Sequence, residues 1–333
     1  IEYYKDGQIY IEVNYVDGKK QGQRISYHFN GKIESEVNYV DDKKQGMEIG
    51  YRLNGGVYYE ANYVDDKKQG KEIRYYDDGI TKWSEVNYVD DKKQGKEIRY
   101  YDDGITKVSE VNYVDDKKQG MEIGYFQDGV KIAYLVNYVD DKKQGMEIEY
   151  RLNGGVYYEA NYVDDKKQGK EIGYYPNGRT EYEVNYVDGK KQGLGTEYDV
   201  NGLTKTEVNY VDDKKQGKET GYYDDGITKW SEVNYVDDKK QGMKIWYWED
   251  GTTLSEVNYV DDKKQGMEIW YYNSGEISEI QNYNLGVPVG VWYDYDLLTK
   301  EMTKGECING KKPSEWKAVG EEEKLRILRE NHR

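Results

Sequence analysis

Apolar and polar residues alternate along this chain in short runs, and the runs return at a fixed interval. In the stretch from Val86 to Gly104, VNYVDDKKQGKEIRYYDDG, Val86 and Tyr88 fall on one side of an extended chain. Glu85, Asn87 and Val89 fall on the other. Further on, Ile98 and Tyr100 share a side opposite Glu97 and Arg99. Alternation at period two in Val, Ile and Tyr predicts strands. Two turn signals separate them, Val-Asp-Asp-Lys-Lys-Gln-Gly and then Asp-Asp-Gly or Asn-Gly, whose residues tolerate the positive φ of tight turns. Each interval predicts one β-hairpin of roughly five to seven residues per strand.

The interval is 24 or 25 residues, as in Asn38, Asn62, Asn87, Asn112 and Asn137, and it persists to Asn282. Its fixed points are Tyr39, Gly46, Tyr63, Gly70, Tyr88, Gly95, Tyr113, Gly120, Tyr138 and Gly145. A period in this range predicts a stacked array in which each unit contacts its neighbours. The expected fold is all-β: an elongated single layer of about twelve tandem hairpins over residues 1–292. With two strands per repeat at about 4.8 Å each, it would form a twisted ribbon on the order of 100 Å long. The longer intervals carry one extra residue before the next Asn-Tyr (GITKWSEVN against GKIESEVN), which predicts a bulge or a wider turn. Residues 293–333 read as a degenerate last repeat and a cap. Ile308–Lys312 echoes a thirteenth turn with Cys307 at the Tyr position, and EEEKLRILR from Glu321 suits a short helix. Trp316, Leu325, Ile327 and Leu328 are the expected packing residues of that cap.

Ile, Leu, Val and Phe are scarce and the net charge is -16, a pairing that alone would suggest disorder. The 39 tyrosines and 7 tryptophans, recurring at fixed phase, reverse that reading, because Tyr can build a half-dry core. The acidic balance argues against nucleic acid and against anionic membrane surfaces. No apolar run is long enough to span a bilayer. A single cysteine, Cys307, allows no disulfide within the chain. The compartment stays open. A reducing cytosol is slightly favoured, and export is not excluded because the chain starts at Ile1 inside a repeat.

The phrase Tyr-x-Asp-Gly-Lys-Lys-x-Gly stands at Tyr15–Gly22 and Tyr186–Gly193, and most other copies read Asp-Asp-Lys-Lys. It resembles the MORN repeat, more closely the second variant found in bacterial antitoxin-like and large-virus proteins. The resemblance implies a β-hairpin array used for protein association, sometimes near membranes, with no shared catalytic residues.

The paired acids Asp41-Asp42, Asp65-Asp66 and Asp90-Asp91 lack calcium-loop spacing and sit beside two Lys, so they read as turn chemistry. The second-turn acids Asp77-Asp78, Asp102-Asp103 and Asp224-Asp225 are better candidates for a weak cation, although turn chemistry leads there too. The Tyr column reads mostly as the packed face of a thin sheet. Trp246, Trp248, Trp270 and Trp292 gather in the last regular repeats and are candidate partner contacts, since Trp often anchors interfaces; thickening toward the cap is the other reading. His28 and His332 stand alone, without a catalytic or metal constellation. No cofactor, metal or catalytic residue is predicted. The expected function is a non-catalytic scaffold that binds protein through a long Tyr-rich, acidic β surface, with self-association through sheet edges. The alternatives are a glycan- or choline-binding aromatic repeat protein of a cell surface, or an antitoxin-like inhibitor.

Overall fold

The computed structural model describes residues 1–331; His332 lies outside them. The chain divides into two units, Ile1–Lys166 and Lys167–Arg333. Each is an open, one-layer antiparallel sheet in which strands pair in chain order, as expected from hairpin following hairpin.

One repeat shows the construction. Strand Ile33–Val40 pairs with strand Lys43–Tyr51, Val40 opposite Lys43 and Tyr39 opposite Lys44. The strands are therefore 8 and 9 residues long, more than the sequence suggested. The turn itself is only Asp41 and Asp42, with φ of 49° and 69°, so Lys-Lys already belongs to the returning strand. The Gly of Gln-Gly is not a turn residue. Gly46 has φ of 84° and sits in a bulge where Asn38 faces the stretch between Lys44 and Glu48. In the equivalent bulges Asn87 accepts the Gln94 amide at 2.8 Å, and the side-chain amide of Asn62 donates to the Gln69 carbonyl at 3.1 Å. That explains the recurrent Asn.

The register fixes two faces. Ser35 opposes Gly50, Val37 opposes Glu48 and Tyr39 opposes Lys44, all on one face; Glu36 and Ile49 lie on the other. The first face is the closed one. Val37, Val86, Val111 and Val257 are buried there, and so are Tyr39, Tyr63, Tyr88 and Tyr113 at 7–8 % exposure.

The extra residue of the longer repeats widens the second turn. In a 24-residue repeat Arg52 N–H bonds the Gly56 carbonyl, and in a 25-residue repeat Tyr76 N–H bonds the Thr81 carbonyl, each at 2.8 Å.

Toward the C-terminus, the sheet ends in strands Val291–Tyr295, Met302–Glu306 and Lys317–Ala318, followed by the helix Glu321–Asn331. The thirteenth turn is present: Ile308 and Lys311 form a bridge around Asn309 and Gly310, both at positive φ. Ile327 of the helix is buried in a cluster with Ile269, Ile277, Ile280, Tyr295 and Met302, and Leu328 packs against it. A bond from Lys304 to Glu323 at 2.8 Å fastens the helix. Trp316 and Leu325 do not join. They stay 41 % and 43 % exposed; Leu325 lies off the one stripe that a short helix can bury on a sheet.

Candidate functional site

The two elements of the repeated phrase do separate jobs. Its turns are stitched together across repeats. The backbone N–H of Lys44 donates to Asp66 Oδ1 at 2.7 Å, and the N–H of Asp66 donates back to the Lys44 carbonyl at 3.1 Å. Gln45 Oε1 accepts from the Asp65 amide at 2.9 Å. The same bonds recur at Lys68–Asp91 and Lys191–Asp213. The second-turn acids are likewise engaged, since the Asp78 carboxylate accepts from the amides of Ile80 and Thr81, both at 2.9 Å. These bonds hold the Asp78 carboxyl below the usual range, the Thr81 hydroxyl contributing most. Both sets of acids thus serve turns.

The closed face carries a column of Lys, Glu and Tyr. Lys44 Nζ donates to Glu48 Oε1 at 2.7 Å and lies 4.8 Å from the ring centre of Tyr63 in the next repeat. Lys68 repeats this with Glu72 and Tyr88, Lys93 with Glu97 and Tyr113, and Lys118 with Glu122 and Tyr138. Burial, and next the Glu48 carboxylate, push the Tyr63 phenol well up. Glu72 is opposed by burial, yet its bonds to Lys68 and Arg74 win and hold its carboxyl below the usual range. From Tyr39 to Tyr283 the Tyr column is therefore packed interior, each ring with a lysine of the chain itself against it.

Residues 1–17, 20–41, 167–188 and 264–285 match the family model of the MORN repeat variant. At these four segments the chain carries the variant MORN repeat. No curated protein matches it. The copies between the matched segments repeat the same phrase with few changes, so the informative MORN repeats are those that depart from their neighbours.

Three repeats keep the column Lys but lack its Glu. Arg24 replaces it after Lys20, Gly195 after Lys191 and Lys244 after Lys240. Beside Gly195 a cavity of about 300 Å³ opens, lined by Tyr182, Val184, Lys191, Val208 and Tyr210 among others. At Lys244 the ammonium lies 4.3 Å from the Trp246 ring centre, and Trp246 stacks with Trp270 at 6.5 Å and 15° between planes. Burial, and then Lys240, lower the pKa of Lys244.

Among the four candidate tryptophans, the structure brings together Trp246 and Trp270. Trp248 stands apart at its turn, where Trp248 N–H bonds the Thr252 carbonyl. Trp292 is only 2 % exposed, donates to the Asn282 carbonyl at 3.2 Å and tilts against Tyr283, so it is placed as core and not as a reachable surface. His28 bonds the Tyr51 carbonyl through Nε2 at 2.8 Å. Burial, and then Glu306, push the Cys307 thiol up.

Four wide-turn repeats add a feature that the sequence reading did not single out. The inserted residue is aliphatic, and it stands outward: Ile80, Ile105, Val130 and Ile227 are 81–83 % exposed. The first three belong to consecutive repeats. Their turns pack on one another, since Gly104 lies against Thr81 and Gly129 against Thr106. The signal was available in the coincidence of the longer interval with a lone aliphatic after Asp-Gly.

Proposed function

We propose that this MORN-repeat chain is a non-catalytic scaffold that binds protein partners. The observation that supports it best is the row of aliphatic tips Ile80, Ile105 and Val130. An apolar side chain left almost wholly in water stabilises nothing in its own fold. Covering one with a partner contributes about 1.5–3 kcal/mol. Three on a rigid frame act together without being ordered at binding. The exposed Asp102 beside them suits a partner with basic residues around an apolar stripe. Turn-forming repeats of equal geometry also let affinity grow with copy number.

Glycan or choline binding has less support. The Tyr rings of the column already hold lysine ammonium groups, from 4.6 Å at Tyr138 to 5.5 Å at Tyr259, where a sugar or a choline head would need to sit. The His28 ring is taken up by its bond to the Tyr51 carbonyl, which fits a chain without catalysis.

The test is capture of partners from lysate by the full chain and by a variant with Ile80→Asp, Ile105→Asp and Val130→Asp. These tips touch no core, so the variant keeps its fold. Reproducible partners lost in the variant are expected. An identical set on both baits, or none on the wild type, contradicts the reading.

A further inference from the structure

The column of Lys and Glu shows what Lys244 disturbs. In most repeats, a lysine on the closed face bonds the glutamate four residues later, as in Lys44–Glu48, Lys93–Glu97 and Lys264–Glu268. Lys240 meets Lys244 there instead. One carboxylate is removed and one ammonium added, on a face where most repeats balance these charges in pairs and only Arg24 after Lys20 makes a like substitution. The nearby acids are already engaged. Glu219 takes Lys215 and the Tyr235 hydroxyl at 3.4 Å, and Glu268 takes Lys264 Nζ at 2.6 Å on Oε1. Among the described residues Lys240 and Lys244 have no carboxylate at ion-pair distance, and the longest Lys–Tyr contact of the column, 5.5 Å, is that of Lys240 on Tyr259.

The surroundings repeat the deficit. Ser255 pairs across the sheet with both Trp246 and Trp270 and lies diagonal to Lys244, which opposes Val257. It is 0 % exposed, and its hydroxyl has no partner. The Trp270 indole N–H has none either. A buried polar group without a partner costs about 1–3 kcal/mol. Here a hydroxyl, an indole N–H and two ammonium groups, all able to donate, share one patch where an acceptor is missing.

We infer that the patch formed by Lys240 and Lys244 beside the Trp246–Trp270 stack is a binding site for a carboxylate brought by another polypeptide. An acidic side chain of the partner would occupy the place that Glu holds in neighbouring repeats, and an apolar residue next to it would lie on the indoles. The position is one that a carboxylate holds in most other repeats, on a frame spaced for Lys–Glu pairs, so a Glu or Asp side chain suits its chemistry better than a free phosphate. The site lies in the unit Lys167–Arg333, whereas Ile80, Ile105 and Val130 lie in Ile1–Lys166, so it stands or falls independently of the tip row.

The experiment titrates the full chain with a blocked Glu/Leu peptide, its Gln/Leu counterpart and inorganic phosphate, read by calorimetry and tryptophan fluorescence. Lys244→Glu rebuilds the pair found in the other repeats and keeps the fold; Lys244→Met removes the charge alone. Wild type is expected to bind the Glu peptide and not the Gln peptide. Lys244→Glu should bind it about tenfold or more weakly, with Lys244→Met in between. The inference is overturned by any of three results: no binding to wild type, equal binding to Lys244→Glu, or phosphate bound as tightly as the peptide.

Discussion

Asp66 holds Lys44 by two bonds, its Oδ1 accepting the Lys44 amide at 2.7 Å and its own amide donating to the Lys44 carbonyl at 3.1 Å. This clamp explains why Asp, and not Gly, fills a position with φ of 70°. Glycine would adopt that angle freely, and Gly189 keeps the amide bond to the Lys167 carbonyl at 2.9 Å. Asp accepts backbone strain and gains a bond to the neighbouring turn. Asp66→Ala therefore loses the bond and keeps the strain, and should destabilise by about 1–2 kcal/mol. Asp66→Gly loses the bond but sheds the strain, and should cost less than about 1 kcal/mol. Urea midpoints of the two variants check the order.

Gly50 serves a different end. The ring of Tyr59 lies over it, and a Cβ there would meet Tyr59 Cε1 at 2.3 Å. The arrangement recurs with Tyr134 over Gly124 and Tyr182 over Gly173. Gly50→Ala should displace the Tyr59 ring and destabilise by about 1–3 kcal/mol. The double variant Gly50→Ala with Tyr59→Ser, matching the Ser of other repeats, should recover part of the loss. Thermal melts of the single and double variants decide it.

The hydroxyls of Tyr51, Tyr100, Tyr222 and Tyr247 set an alkaline limit. Burial first, and then bonding or repulsion with Glu36, Glu85, Glu207 and Glu232, push these four to about 12. Their folded pKa lies above the ordinary value near 10, so their contribution is complete below about pH 10 and is lost as pH rises through about 12. Glu72, Glu110 and Glu232 set the acid limit. Burial opposes their ionisation, but their lysine partners prevail and lower the pKa in each case. Their contribution is present above the ordinary glutamate pKa and fades as pH falls through the lower folded value. Circular dichroism with absorbance at 295 nm should show tyrosine ionisation and loss of sheet together, above the pH at which free tyrosine titrates.

Much of this was legible in the residues. The hairpin array, the turn roles of both acid pairs, the Tyr column as packed face and the helix from Glu321 follow from period and turn chemistry. The buried glutamates did not. The alternation sets Glu97 opposite Ile98 and Tyr100 of its own strand, which is correct, yet that side is the closed one, as it is for the equivalent Glu48. Once the turn is taken as Asp41 and Asp42 alone, Tyr39 opposes Lys44, and parity puts Glu48 beside Val37. The cap was half legible. Ile327 and Leu328 pack, but the sheet supplies only enough surface for one helix stripe, which leaves Leu325 outside. Among the tryptophans, only geometry separates the Trp246–Trp270 stack from the enclosed Trp292.

The central claim is that these repeats are equivalent units stitched to their neighbours. Removal of residues 137–160 joins Val136 to Asn161 and restores the phrase VNYVDD across the junction. It leaves the tip row and Lys244 in place. The shortened chain is predicted to keep the circular dichroism signal per residue and a cooperative melt, with the midpoint only slightly lower. A chain that unfolds on losing this one repeat would contradict the account.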